Sequence, residues 1–265
     1  MKTNNPLITV VTVVYNGKES IEETILSVIN QTYKNIEYII IDGASTDGTV
    51  DIIKKYDKRI TYWVSEPDKC IYEAKNKGIE KATGDWINFM NVGDTFVSND
   101  TVNQISNYLK EDLNIVYGDC LLKYNDQSES IYKKSNNFGK VIYHIPFCHQ
   151  SAFVKTSLMK EFKFELTYTC TGDYNFFFNV YKCKKNNALR VPIPVSLYDM
   201  HGVSNSLTAL KEYYQISRRH ASNRLIPLYH YIRLSFAKFK IKVKGMLPEK
   251  MTEKYISFKR KIYII

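Results

Sequence analysis

Eight consecutive aliphatic or β-branched residues, Leu7-Ile8-Thr9-Val10-Val11-Thr12-Val13-Val14, stand near the start of the chain with no period-two alternation. A strand of that pattern is buried on both faces, so it demands a sheet with a layer on each side. The next eighty residues repeat the demand. Ile21, Ile25, Val28 and Ile29 recur at helical spacing, and residues 36–41 form a second apolar run stopped by Asp42-Gly43. Ser45-Thr46-Asp47 can cap a helix carrying Val50, Ile53 and Tyr56, and residues 60–64 read as a third strand. A helix over 71–82 and a fourth strand over 86–90 complete the series. Strand and helix in alternation predict an α/β domain with a parallel sheet, whose ligands bind at the loops after the strands' carboxyl ends.

Beyond Asp100 the pattern loosens. A helix is expected at 101–109, strands at 115–117, 119–124, 129–133 and 151–154, a helix near 174–182 and a strand at 189–197. These would finish the same sheet and build a second side to the site. From Leu207 the chain reads as helical and basic, although 239–244 alternate with period two. With 44% hydrophobic and 24% charged residues, disorder and low complexity are excluded as the main state. A length of 265 residues suits one domain with an appendage.

The charge is concentrated at one end. Residues 205–265 hold 14 Lys or Arg and 3 Glu, a net of +11, whereas residues 1–204 hold 23 basic and 24 acidic residues. A near-neutral body with a basic tail predicts a body held beside something anionic, rather than a nucleic-acid binder with charge spread over its folded face. The five cysteines (Cys70, Cys120, Cys148, Cys170, Cys183) form no Cys-x-x-Cys pair and no closed disulfide set, so reduced thiols and a cytosolic setting are expected. Met1 to Asn5 are polar and lead straight into the first strand, so no signal peptide is expected, and no apolar run reaches the ~18–20 residues of a bilayer span.

Three carboxylates fall at successive strand ends: Asp42, Asp68 in Ser65-Glu66-Pro67-Asp68, and Asp94 in Asn91-Val92-Gly93-Asp94. One such Asp is ordinarily a turn former. Three at successive strands converge on the ligand edge of the sheet.

These residues, with Val11-Thr12-Val13-Val14-Tyr15-Asn16, Ser27-Val28-Ile29-Asn30-Gln31-Thr32-Tyr33, Asn76-Lys77-Gly78-Ile79 and Gly84-Asp85-Trp86-Ile87, carry a resemblance. The chain resembles the family 2 glycosyltransferases of GT-A fold (Rossmann-like), as found among bacterial polysaccharide and O-antigen sugar transferases. The likeness is dense over residues 6–95 and thinner to 204. It implies a glycosyltransferase domain at 6–204, with a nucleotide-sugar half (6–95) and an acceptor half (96–204), followed by a basic amphipathic helical region at 205–265.

By the same resemblance, Tyr15 and Asn16 line a base pocket and Asp42 bonds a uracil or ribose. Asp68 and Lys75 lie beside base and phosphates. Asp94 is the last carboxylate of a metal-binding acidic motif in which Asn91 stands at the first position, and the metal is Mn²⁺ or Mg²⁺. Asp173, in Thr171-Gly172-Asp173-Tyr174, stands where the catalytic base is carried. His149 and Gln150 touch acceptor or donor sugar, and His201 is a second metal ligand on a closing loop. The activity implied is inverting, single-sugar transfer from UDP-hexose or UDP-N-acetylhexosamine to a polyprenyl-diphosphate-linked or polysaccharide acceptor, in capsule or O-antigen biosynthesis. No Gln-x-x-Arg-Trp motif of processive synthases is present. The basic region would rest peripherally on the inner face of the cell membrane, with no nucleic-acid partner. Two other readings are an inactive homologue that only binds nucleotide-sugar and a nucleic-acid binder acting through the tail.

Overall fold

In the computed structural model, which describes residues 5–123, 130–199, 206–221 and 223–246, the chain divides into two units, 1–204 and 205–265. The first begins β1 (Ile8–Val14), α1 (Ile21–Ile29), β2 (Ile36–Asp42), α2 (Thr49–Lys55), β3 (Tyr62–Ser65), α3 (Ile71–Lys81) and β4 (Trp86–Phe89). It continues with β5 (Thr95–Phe96), α4 (Thr101–Ser106), β6 (Ile115–Lys123), β7 (Ser130–Lys133), β8 (Ala152–Lys155), α5 (Thr156–Phe162), α6 (Gly172–Lys182) and β9 (Ala188–Asp199).

One sheet holds all nine strands, in the order β3-β2-β1-β4-β8-β6-β9-β5 with β7 beside β6. β1 to β4 are mutually parallel; β8 enters antiparallel between β4 and β6, and β9 runs parallel with β6. Six strands therefore share one direction, while β5, β7 and β8 oppose it. This is an α/β fold with a mostly parallel central sheet between helices. β1 shows why the unbroken apolar run was needed. Val11 and Val13 face a core shared with Tyr72, Phe164, Phe176 and Phe177, and Ile8, Val10 and Val14 face a second core shared with Ile21, Ile25 and Val28 of α1.

The structure revises several expected elements. The separate strands at 115–117 and 119–124 are one strand, β6, passing through Gly118 with a register irregularity against β9 on either side of Asp119. Glycine inside a strand marks such a bulge. Arg190 of β9 donates both ways to the buried Asp119 carboxylate, at 2.8 and 2.9 Å, and Tyr132 of β7 and the Ser135 N–H donate to it as well. β5 and α5 carry too little periodicity to be seen in advance, at 2 and 7 residues.

The second unit contains α7 (Leu207–His220) and α8 (Leu225–Met246). Ser206 caps α7 by accepting from the Ala209 N–H at 3.1 Å. The two helices meet through the Tyr213 and His230 rings, stacked 5.6 Å apart, with the Arg233 guanidinium 5.8 Å from the Tyr213 ring centre. The period-two stretch at 239–244 is helical. Among the described residues no helix is long and apolar enough to cross a membrane.

Candidate active site

The carboxyl ends of β1, β2, β3 and β4 open onto a cavity of about 840 Å³, walled by Tyr15, Gly43, Ala44, Pro67, Asp68, Cys70, Ile71, Asn91 and Val92. Tyr15, 67% exposed, presents its ring there. Asn16 has φ 49°, a left-handed conformation that asparagine tolerates better than most residues. Its N–H donates to Ser45 Oγ at 2.7 Å and its Oδ1 accepts from the Thr46 N–H at 2.9 Å, which ties the loop after β1 to the loop after β2.

Asp42 takes a different place from the one expected. It is buried at the end of β2 and accepts from the Ser45 N–H (2.9 Å), Ser45 Oγ (2.5 Å) and Ser65 Oγ (2.6 Å). Ser65 is its register partner on β3. In this arrangement Asp42 shapes the cavity's Gly43-Ala44 rim through the turn it holds. Asp68 is the carboxylate on the cavity wall. Lys77 of α3 lies 2.7 Å from its Oδ1 and 2.7 Å from Glu66 Oε1, while Asp68 Oδ2 is buried without a hydrogen-bond donor among the described residues.

Behind Asn91 the cavity wall leads into a polar cluster. Asn91 Nδ2 and Lys75 Nζ both donate to His149 Nε2, at 3.0 and 3.3 Å. His149 Nδ1 is 3.4 Å from Asp173 Oδ2, and the Tyr72 hydroxyl is 3.4 Å from Asp173 Oδ1. Burial, reinforced by the Lys75 charge, holds the His149 pKa well below the imidazole range. A neutral ring with two donors at Nε2 carries its proton on Nδ1 and offers it to Asp173. Asp173 is the second residue of α6, and burial raises its carboxyl pKa against the opposing pull of Lys75. Lys75 is 2% exposed and lies 5.2–5.6 Å from the ring centres of Tyr72, Phe89 and Phe164. Burial lowers its pKa, with the Asp173 and Asp94 charges resisting.

Gln150 Nε2 donates to Asp94 Oδ2 at 2.7 Å, and Thr24 Oγ1 donates to the Asp94 carbonyl. No group of three or more His, Cys, Asp or Glu suited to a metal occurs among the described residues. The turn 91–94 nonetheless offers two hard oxygens, the Asp94 carboxylate and a buried Asn91 Oδ1 with no hydrogen-bond donor among the described residues. One or two protein oxygens completed by phosphate suffice for Mg²⁺ or Mn²⁺, so this donor set fits a divalent ion. His201 lies outside the described residues.

The structure thus brings together Lys75, Asn91, His149 and Asp173, sets Tyr15 and Asp68 on the same cavity, and turns Asp42 inward. Sequence reasoning passed over Tyr72, Lys77, Ser45 and Ser65. Tyr72 was findable, because it precedes Lys75 by one helical turn and shares its face. Its ring fits only because Gly172 has no side chain: a Cβ there would lie 2.8 Å from three ring atoms.

The chain matches the model of the family described as Glycosyl transferase family 2 over residues 9–183. It is 30% identical over 193 residues to an uncharacterized glycosyltransferase of Haemophilus influenzae, covering 70% of this chain and 76% of that one. S. aureus TarS 1–349, solved in complex with UDP-GlcNAc, superposes with a TM-score of 0.66 at 16% identity, over 84% of this chain and 69% of that one. The mannosyltransferase PcManGT from Pyrobaculum calidifontis, in complex with GDP-Man and Mn²⁺, gives a TM-score of 0.65 at 16% identity, over 98% and 81%. At such identities the solved structures establish the fold, which is GT-A.

Proposed function

The chain belongs to glycosyl transferase family 2, and from that premise we propose that it moves one sugar, with inversion, from UDP-hexose or UDP-N-acetylhexosamine to a hydroxyl of a lipid-linked or polysaccharide acceptor in surface polysaccharide biosynthesis. What supports this reading best is the unbroken line of contacts from the cavity wall at Asn91, through His149, to the Asp173 carboxylate. A sugar transferase needs a proton acceptor within reach of its donor pocket, and these contacts tie Asp173 to that pocket's wall.

In this reading the exposed Tyr15 ring offers a face to the base, and Asp68 Oδ2 accepts from an imide N–H or a ribose hydroxyl. Asp42 acts through the turn it holds. Lys75 and Asn91 keep His149 Nε2 as an acceptor, so Nδ1–H stays directed at Asp173 and orients the carboxylate. Asp173, its pKa raised by burial, takes the proton of the acceptor hydroxyl as that oxygen attacks the anomeric carbon. Attack on the face opposite the leaving diphosphate inverts the centre. Asp94 and Asn91 Oδ1 would hold Mn²⁺ or Mg²⁺, which when bound neutralises the charge developing on the diphosphate.

The test is UDP, GDP and dTDP release from a panel of nucleotide sugars, with and without Mn²⁺. Metal-dependent UDP release is expected from one donor, abolished in Asp94→Ala. Asp173→Asn should lower kcat by roughly 10²–10⁴-fold with little change in KM, the typical worth of a positioned base. Tight donor binding with no turnover, lipid-diphosphate acceptors supplied, would mark a binding protein; no donor binding at all would overturn the reading.

A further inference from the structure

Helix α8 has two apolar faces, where a helix packed on one side needs a single one. Ile226, His230 and Leu234, spaced by four, form the buried face. Leu225, Leu228, Ile232, Phe236 and Phe239 recur at intervals of three or four and are each 50–67% exposed. At 3.6 residues per turn these five fall within an arc of about 80°. Five scattered exposed apolar residues would need no explanation, but a single stripe along four turns is a contiguous patch of the kind that marks an interaction surface.

The borders of the stripe say what it meets. Arg233 and Lys240 flank it on one side, and Arg224 and Lys238 on the other. The Lys240 ammonium sits 4.4 Å from the Phe236 ring centre, a cation–π contact that sets a positive charge at the edge of the apolar stripe. Leu225–Met246 contains five Lys or Arg and no acidic residue. A bilayer surface combines an apolar acyl boundary with anionic headgroups just above it, and matches both parts of this pattern. A polynucleotide matches it less well, because only Phe236 and Phe239 of the five offer a ring to stack on, while Leu225, Leu228 and Ile232 offer a base neither a ring nor a hydrogen bond. A second copy of the chain would bring together two units each of net charge +11.

We propose that α8 lies in the plane of an anionic lipid surface, with Leu225, Leu228, Ile232, Phe236 and Phe239 at the acyl boundary and the flanking Lys and Arg on the headgroups. The helix rests on the membrane and does not cross it. Attachment of this kind is independent of the donor chemistry.

The experiment is co-sedimentation of the full chain with vesicles of phosphatidylcholine alone or mixed with phosphatidylglycerol. The native chain should partition onto the anionic vesicles at least about tenfold more strongly than onto the neutral ones, given the contribution expected of several near-surface cations. The double substitution Ile232→Asp with Phe236→Asp should lower anionic-vesicle binding at least about tenfold, since an apolar face this size dominates interfacial attachment. Circular dichroism and the thermal midpoint should be unchanged, because both positions are exposed. In Phe236→Trp the added tryptophan emission should shift to the blue on anionic vesicles. Equal binding by the native and doubly substituted chains, no binding by the native chain, or no blue shift in Phe236→Trp would each overturn the proposal. So would a native dimer that the double substitution dissolves without lipid, or RNA binding that the substitution abolishes while vesicle binding persists.

Discussion

Lys75 carries its ammonium into a place walled by three aromatic rings, with the His149 imidazole as its hydrogen-bond acceptor. Its charge also restrains the Asp173 pKa, so Lys75→Met should let that pKa rise further. The acidic limb of the kcat/KM profile would then move to higher pH, which a pH–rate series measures directly. His149 also acts on stability. Its folded pKa is depressed, so below the ordinary value of about 6.5 the unfolded chain takes up a proton that the folded one refuses. Its share of stability is present above that pH and is lost as the pH falls. Asp173, with a raised folded pKa, contributes in the opposite sense on acidification. Thermal midpoints between pH 7 and 5 should therefore fall less steeply in His149→Gln than in the native chain. Residue-scale legibility was uneven for a physical reason. The strand-end position of Asp42 was readable, but the direction of its carboxylate was not, because Ser65 reaches it only through the register of β2 against β3.

Elements were legible where periodicity was long. β1, α1, β2, α3 and β4 begin and end within a residue or two of their expected bounds, since each has one dominant period over a sufficient run. The bulged β6 was not, because Gly118 imitates a turn. Its bulge is held by the Asp119–Arg190 pair across β6 and β9. Arg190→Met would leave a buried carboxylate without its cation and should cost about 3–5 kcal/mol in denaturant unfolding. The approach of α3 to β1 depends on Gly78, where a Cβ would lie 2.5 Å from Val11 Cγ1. Gly78→Ala should cost about 1–3 kcal/mol by overpacking. It should also depress turnover, because Tyr72 and Lys75 ride on the same helix.

For the molecule as a whole, the family match ends at 183, yet β9 begins at Ala188 and supplies the partner of both β6 and β5. A chain cut after residue 183 should lose cooperative thermal unfolding, whereas one cut after 204 should keep it. This order was hidden in the sequence because nothing local announces that β8 pairs with β4 across more than sixty intervening residues. That insertion also sets a timetable for synthesis. β4 ends at Phe89, and the strand that covers its outer edge is finished only at Lys155. At roughly 5–20 residues per second, the ribosome takes about 3–13 s to deliver the missing strand. Throughout that interval the nascent parallel half shows an unpaired, apolar strand edge, a ready template for strand addition by a neighbouring chain. The expected consequence is that soluble yield rises when a ribosome-associated holdase is made abundant, which expression with and without the holdase measures.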